Sequence, residues 1–265
     1  MRKIFRSGFF RTGVVAIMAL CVLSCEKVIN IDLHDSEPRV VIEGNIPLDS
    51  LCRVVMTRSI NFSEPNIFPP ISGAVITISD DSTKVVDTCP ETVAGEGKYQ
   101  SRTMTGIEGH TYTLTVQYGG QTYTGSSTLP VQVPLDSTSI TRLSGFGRTF
   151  FQMTPYYTDP AGIRNYYKFE IRAKGLVDNS IRVRDDGFTD GQVNRIPINL
   201  SSDIVEGDTV TFTMLCIDST AFVFYRTLGA GSSSTSPANP ISNLSGGCLG
   251  YFKAYTSQSV QLVVK

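Results

Sequence analysis

Asn165-Tyr166-Tyr167-Lys168-Phe169-Glu170-Ile171-Arg172 alternates without a break: Tyr167, Phe169 and Ile171 share one face, and Lys168, Glu170 and Arg172 the other. Successive side chains of an extended chain point to opposite sides. A period of two therefore predicts a strand with one face in a core and one in water. Upstream, Ala74-Val75-Ile76-Thr77-Ile78 reads the same way, with Ala74, Ile76 and Ile78 together. Further strands are predicted at 39–43, 53–57, 84–87, 97–101, 112–116 and 122–126. The last two form a hairpin about Gly119-Gly120, since primed two-residue turns need positive φ at both positions. Seven short strands over about 95 residues, separated by turns, predict an immunoglobulin-like β-sandwich over 39–134. Pro130 and Pro134 interrupt sheet pairing and set the expected domain boundary.

A second β-rich, sandwich-like domain is expected over 135–265, making the fold class all-β. It contains the opening strand, another at 208–217 and a last strand or pair of strands ending at Val263-Val264. It also carries one short helix near 219–228. Ser219 is its expected cap, Ala221, Phe222, Tyr225 and Leu228 follow at helical spacing, and Gly229 is its stop. The loop 231–239 is rich in serine. Residues 184–191, Arg-Asp-Asp-Gly-Phe-Thr-Asp-Gly, are rich in oxygen ligands but lack the spacing of an EF-hand loop, so they read as a glycine-punctuated turn.

At the other end, Arg2, Lys3, Arg6 and Arg11 precede an apolar run from Gly13 to Leu23, too short to span a bilayer. Val22-Leu23-Ser24-Cys25 then matches a lipobox. Residues 1–24 read as a lipoprotein signal peptide, Cys25 as the lipidation site and 25–38 as an acidic tether. Several acyl chains, at about 0.8 kcal/mol per buried methylene, anchor a protein where one chain binds marginally. Loss of four of the 23 basic residues leaves 19 against 24 acidic ones, a charge of −5. That balance offers no footprint for nucleic acid.

Cys52, Cys89, Cys216 and Cys248 remain, with no zinc-type spacing. In an exported chain they form either disulfides, expected within each domain as Cys52–Cys89 and Cys216–Cys248, or buried free thiols. The two histidines, His34 and His110, fit no triad order, and no G-x-S-x-G occurs. Adjacent Asp185 and Asp186 would point to opposite faces of a strand, which argues against a cooperating acid–base pair. No catalytic residue, metal or cofactor is expected.

Four stretches carry a family resemblance: Cys25-Glu26-Lys27-Val28-Ile29 with Asp32-Leu33, Val40-Val41-Ile42-Glu43-Gly44, Asn165-Tyr166-Tyr167, and Asn239-Pro240-Ile241-Ser242-Asn243 through Gly250-Tyr251-Phe252. In this order they resemble the Bacteroidetes-type outer-membrane lipoprotein family called domain of unknown function 4249. The resemblance covers nearly all of the mature chain and supplies no catalytic residue. It implies a non-enzymatic surface accessory of a TonB-dependent outer-membrane receptor, with a small-molecule, glycan or peptide ligand. A structural or adhesive surface lipoprotein is the alternative, and a surface hydrolase the third reading. Aromatic doublets in the second half mark Tyr156, Tyr157, Phe222, Tyr225 and Tyr251 as a candidate partner surface.

Overall fold

The alternating stretches become strands, and what joins them is the last one. In the computed structural model, which describes residues 37–61, 64–145, 148–175, 180–233 and 239–265, the first half contains β1 (Val40–Pro47), β2 (Leu51–Arg58), β3 (Val75–Asp80), β4 (Val86–Thr88), β5 (Lys98–Thr105), β6 (Thr111–Tyr118) and β7 (Gln121–Thr128). The second half contains β8 (Ser137–Gly145), β9 (Arg148–Thr158), β10 (Tyr166–Ala173), β11 (Arg182–Asp185), β12 (Val193–Arg195), β13 (Ile198–Asn199), β14 (Thr209–Ile217), helix α1 (Ser219–Ser233) and β15 (Leu249–Val263). Gly119 and Gly120 both have positive φ, 58° and 77°, as the β6–β7 turn requires.

One seven-stranded sheet runs β11-β10-β14-β15-β1-β2-β5. The first part of β15 pairs parallel with β1, from Val41↔Leu249 to Pro47↔Tyr255. From Tyr255 onward it pairs antiparallel with β14, from Ile217↔Tyr255 to Thr209↔Val263. At about 3.3 Å per residue this strand is about 50 Å long. Its two ends belong to two sandwiches.

Against the β15–β1–β2–β5 end lies the sheet β4-β3-β6-β7. Ile42, Ile46, Val54, Met56, Ile76, Ile78, Tyr112, Leu114 and Phe252 fill the core between them. Against the β14–β10 end lies the sheet formed by β8, β9, β12 and β13, closing on Met153, Tyr157, Tyr167, Phe169, Ile171, Phe212 and Met214. Tyr167, Phe169 and Ile171 are buried as their alternation predicted. A third cluster lies where Phe222, Phe224 and Tyr225 of α1 meet Leu215 and Ile217 of β14.

The all-β class with sandwiched sheets is therefore the fold. The division at 134/135 is realised differently from the expectation. There are two cores on either side of it, but 37–265 form one unit, because β15 completes the first core with Phe252 and Ala254. Two further differences concern α1. Its cap is Asp218, whose Oδ1 accepts the Ala221 amide at 2.8 Å. The helix also continues through Gly229 to Ser233, taking in the start of the expected 231–239 loop.

Candidate functional site

Where the two sandwiches adjoin, the chain cannot continue its ladders. Pro130 and Pro134 carry the 129–135 segment across the gap, and it is pinned from both sides. Leu129 N donates to the His110 carbonyl at 2.9 Å and Gly109 N to that of Leu129 at 2.9 Å. On the other side the Val133 amide donates to Cys216 Sγ at 3.4 Å and Leu135 N to Gln258 Oε1 at 2.8 Å.

Beside this segment opens a cleft of about 580 Å³. Its walls are the end of β7, the crossing segment, the 160–166 approach to β10, and the first residues of α1. Leu129, Val133 and Ile217 are buried in its lining, while Val131 and Ile163 stand at the rim, 63% and 58% exposed. The polar lining is sparse. Arg164 is the one basic residue in the lining and Asp218 the one acidic residue.

Asp218 is held firmly. Besides capping α1, its Oδ2 accepts Ser127 Oγ at 2.8 Å and the Thr128 amide at 3.1 Å. Ser127 Oγ in turn accepts the Ala254 amide at 2.8 Å. One carboxylate thus fixes the helix to β7, and the same serine fixes β7 to β15. Arg164 lies with its guanidinium 5.9 Å from the Tyr166 ring centroid, and Tyr166 leans on Phe222 at 5.0 Å. Asn165 and the hydroxyl residues Ser126, Ser219 and Thr220 also line it, with no histidine, cysteine or lysine among its residues.

The aromatic residues predicted as a partner surface do not form one. Tyr157 is buried in the second core against Tyr167, ring centroids 4.8 Å apart. Phe222 and Tyr225 are buried beneath α1, with Tyr225 5.3 Å from Tyr251. Tyr156 is half-buried on another sheet, with Arg195 5.8 Å from its ring. Each doublet on a strand sends one ring inward, and α1 turns its aromatic face onto the sheet. The surface is corrected accordingly: only Tyr156 and Tyr251 keep part of their area in solvent.

Cys52, Cys89, Cys216 and Cys248 are buried free thiols. Cys52 and Cys89 are in contact, and the Cys52 thiol is pushed well up, first by its hydrogen bond with Cys89 and then by burial. The expected Cys216–Cys248 pair is overturned by the register. Cys216 lies opposite Thr256, eight residues along the strand from Cys248, or about 25 Å, against the roughly 7 Å that a disulfide tolerates between Cα atoms. His110 is paired with a carboxylate, its Nδ1 2.8 Å from Asp80 Oδ2. Cys25 and His34 lie outside the described residues.

Sequence reading missed the cleft. Val131 and Val133 stood between prolines and were read only as a boundary, though apolar residues in a proline-punctuated crossing were a signal. A family model described as Domain of unknown function (DUF4249) matches residues 26–261. No curated protein matches the chain.

Proposed function

This chain belongs to the DUF4249 family, and from that premise we propose a non-enzymatic binding protein, lipid-anchored through Cys25 in the outer membrane, that holds a ligand for a TonB-dependent receptor. The observation that carries the binding reading is the cleft. Its volume of about 580 Å³ falls in the 300–1,000 Å³ range of small-molecule sites, and a mostly apolar lining with a few fixed polar groups is their usual make-up. A binding role is also supported by the state of its polar groups. Asp218 spends its oxygens on backbone and hydroxyl donors, so it is a poor base for the nearby serines. The ligand is small and largely apolar, with a hydrogen-bonding or anionic end near Arg164. The anchor and the receptor rest on the lipobox and the family resemblance. Among the described residues no helix is long and apolar enough to cross a membrane, so attachment in this reading falls to the lipid.

The test is recovery of the native lipoprotein from detergent-solubilised membranes, with mass spectrometry of co-purifying proteins and small molecules. The expected result is a TonB-dependent receptor together with a small molecule that is lost from the Val131→Arg and Ile163→Arg variants while both stay folded and anchored. Recovery without a receptor, recovery without a small molecule, or ligand retained by both variants sinks the reading; a purely structural lipoprotein would give the first two.

A further inference from the structure

Away from the cleft, three carboxylates converge where the turn after β9 meets the loop after β11. Asp159, Asp186 and Asp190 each bring one oxygen within 4.8 Å of the others. Asp159 and Asp186 are each 1% exposed, and Asp190 lies at the surface. Neighbouring donors satisfy part of the group. Tyr167 Oη donates to Asp159 Oδ1, Gly191 N to Asp159 Oδ2 at 3.4 Å, Asn165 N to Asp186 Oδ2 at 2.7 Å and Gly162 N to Asp190 Oδ1 at 2.8 Å.

Asp186 Oδ1 differs from the rest. It is closed off from solvent and accepts no hydrogen bond. Arg164 Nε is 3.3 Å away without hydrogen-bonding geometry, on a side chain 57% exposed. Another nitrogen of that guanidinium serves Asp185 at 3.2 Å. One half-solvated guanidinium is thus shared between Asp185 and Asp186. A buried carboxylate oxygen with no donor is costly to leave so.

A hard cation supplies what is missing. Calcium takes oxygen ligands at 2.3–2.6 Å in flexible geometry, so two of its ligands lie at most about 5 Å apart, and the 4.8 Å spread fits. Magnesium demands a tighter octahedron and keeps its waters. Zinc prefers nitrogen and sulfur, which the cluster lacks. We propose that Asp159, Asp186 and Asp190 form a calcium site that clamps the 159–162 turn to the 186–191 loop. Pro160, Ile163 and Arg164 of the same approach line the cleft, so the clamp fixes one of its walls. The proposal stands whether or not the cleft holds a ligand.

Terbium provides the test, because it takes calcium sites and is excited by nearby tyrosine. Tyr167 touches Asp159 and the chain has no tryptophan. With the full chain stripped by EDTA, terbium emission should appear, calcium should displace it far better than magnesium, and calcium should raise the melting temperature. Asp190→Asn, at the surface, keeps the fold and should weaken calcium competition about tenfold or more, and Asp186→Asn should abolish it. Absence of a calcium-dependent signal in the native chain, or an Asp190→Asn chain that binds calcium as the native one does, overturns the proposal.

Discussion

Lys253 carries its ammonium into the sheet beneath α1, where it is 5% exposed. Its Nζ lies 4.3 Å from the Tyr255 ring centroid, 5.4 Å from that of Tyr225 and 5.7 Å from that of Tyr251, and 3.3 Å from Tyr225 Oη. Burial first, and then Lys168, push its pKa down to about 7, against the pull of Glu170 and Glu43. The ring faces favour the cation as well, but desolvation wins. Because the folded value lies below the unfolded one of 10.5, the unfolded chain binds the extra proton between about pH 7 and 10.5. Stability should therefore rise with pH across that window, and the cost of burying the charge is complete below pH 7. Lys253→Met should accordingly be the more stable chain at pH 6, by about 1–4 kcal/mol, with the gap closing towards pH 10. Urea midpoints of both chains at the two pH values check this, and parallel pH slopes would refute it. Sequence could not announce this residue, because Tyr251-Phe252-Lys253-Ala254-Tyr255 reads as an alternating strand whichever face is covered.

Two elements depend on single contacts that can be removed. Gly250, the second residue of β15, has φ of 99°, and a Cβ there would meet the Ile42 carbonyl oxygen at 2.0 Å. Gly250→Ala should cost about 3 kcal/mol or more, combining strain with a broken β1–β15 start. An unchanged melting temperature would show that the parallel pairing does not need the glycine. Helix α1 depends on Asp218 as its cap, and Asp218→Ala also strips acceptors from Ser127 and Thr128. A loss of about 1–3 kcal/mol is expected, smaller for Asp218→Asn, which retains one acceptor oxygen; equal urea midpoints for the native and alanine chains would argue against it. Strands with a buried alternating face, such as β3, β6 and β10, were legible from period alone. Strand β8 was not, because Ser137-Thr138-Ser139-Ile140-Thr141-Arg142 carries almost no apolar rhythm and is ordered by pairing with β9. Helix α1 outran its expected stop because Gly229 does not take the positive φ by which a glycine ends a helix, a conformational choice that residue type alone does not reveal. The acidic cluster escaped for another reason: the 184–191 loop supplies two of its carboxylates, and the third, Asp159, comes from a different turn.

At the scale of the whole molecule, period identifies strands but not their partners. The stretches 40–44 and 250–252 were recognisable separately, and the structure brings them together, with Ile42 opposite Gly250 and Gly44 opposite Phe252. A chain cut at the proline crossing should therefore fail. Residues 37–134 alone lack Phe252 and Ala254 of their core and leave β1 as an open edge, so the fragment should be unfolded or aggregated by circular dichroism and hydrogen exchange. Cooperative unfolding of that fragment would restore the two-domain division. The parallel pairing also has a mechanical meaning. Tension between an attachment ahead of β1 and a load on the far end of β15 drags two like-directed strands past each other. Cross-strand bonds lying across that pull are loaded together, in shear, instead of opening one by one like a zipper. A protein tugged between a fixed surface and a moving partner would thus resist at the seam where its first and last strands meet.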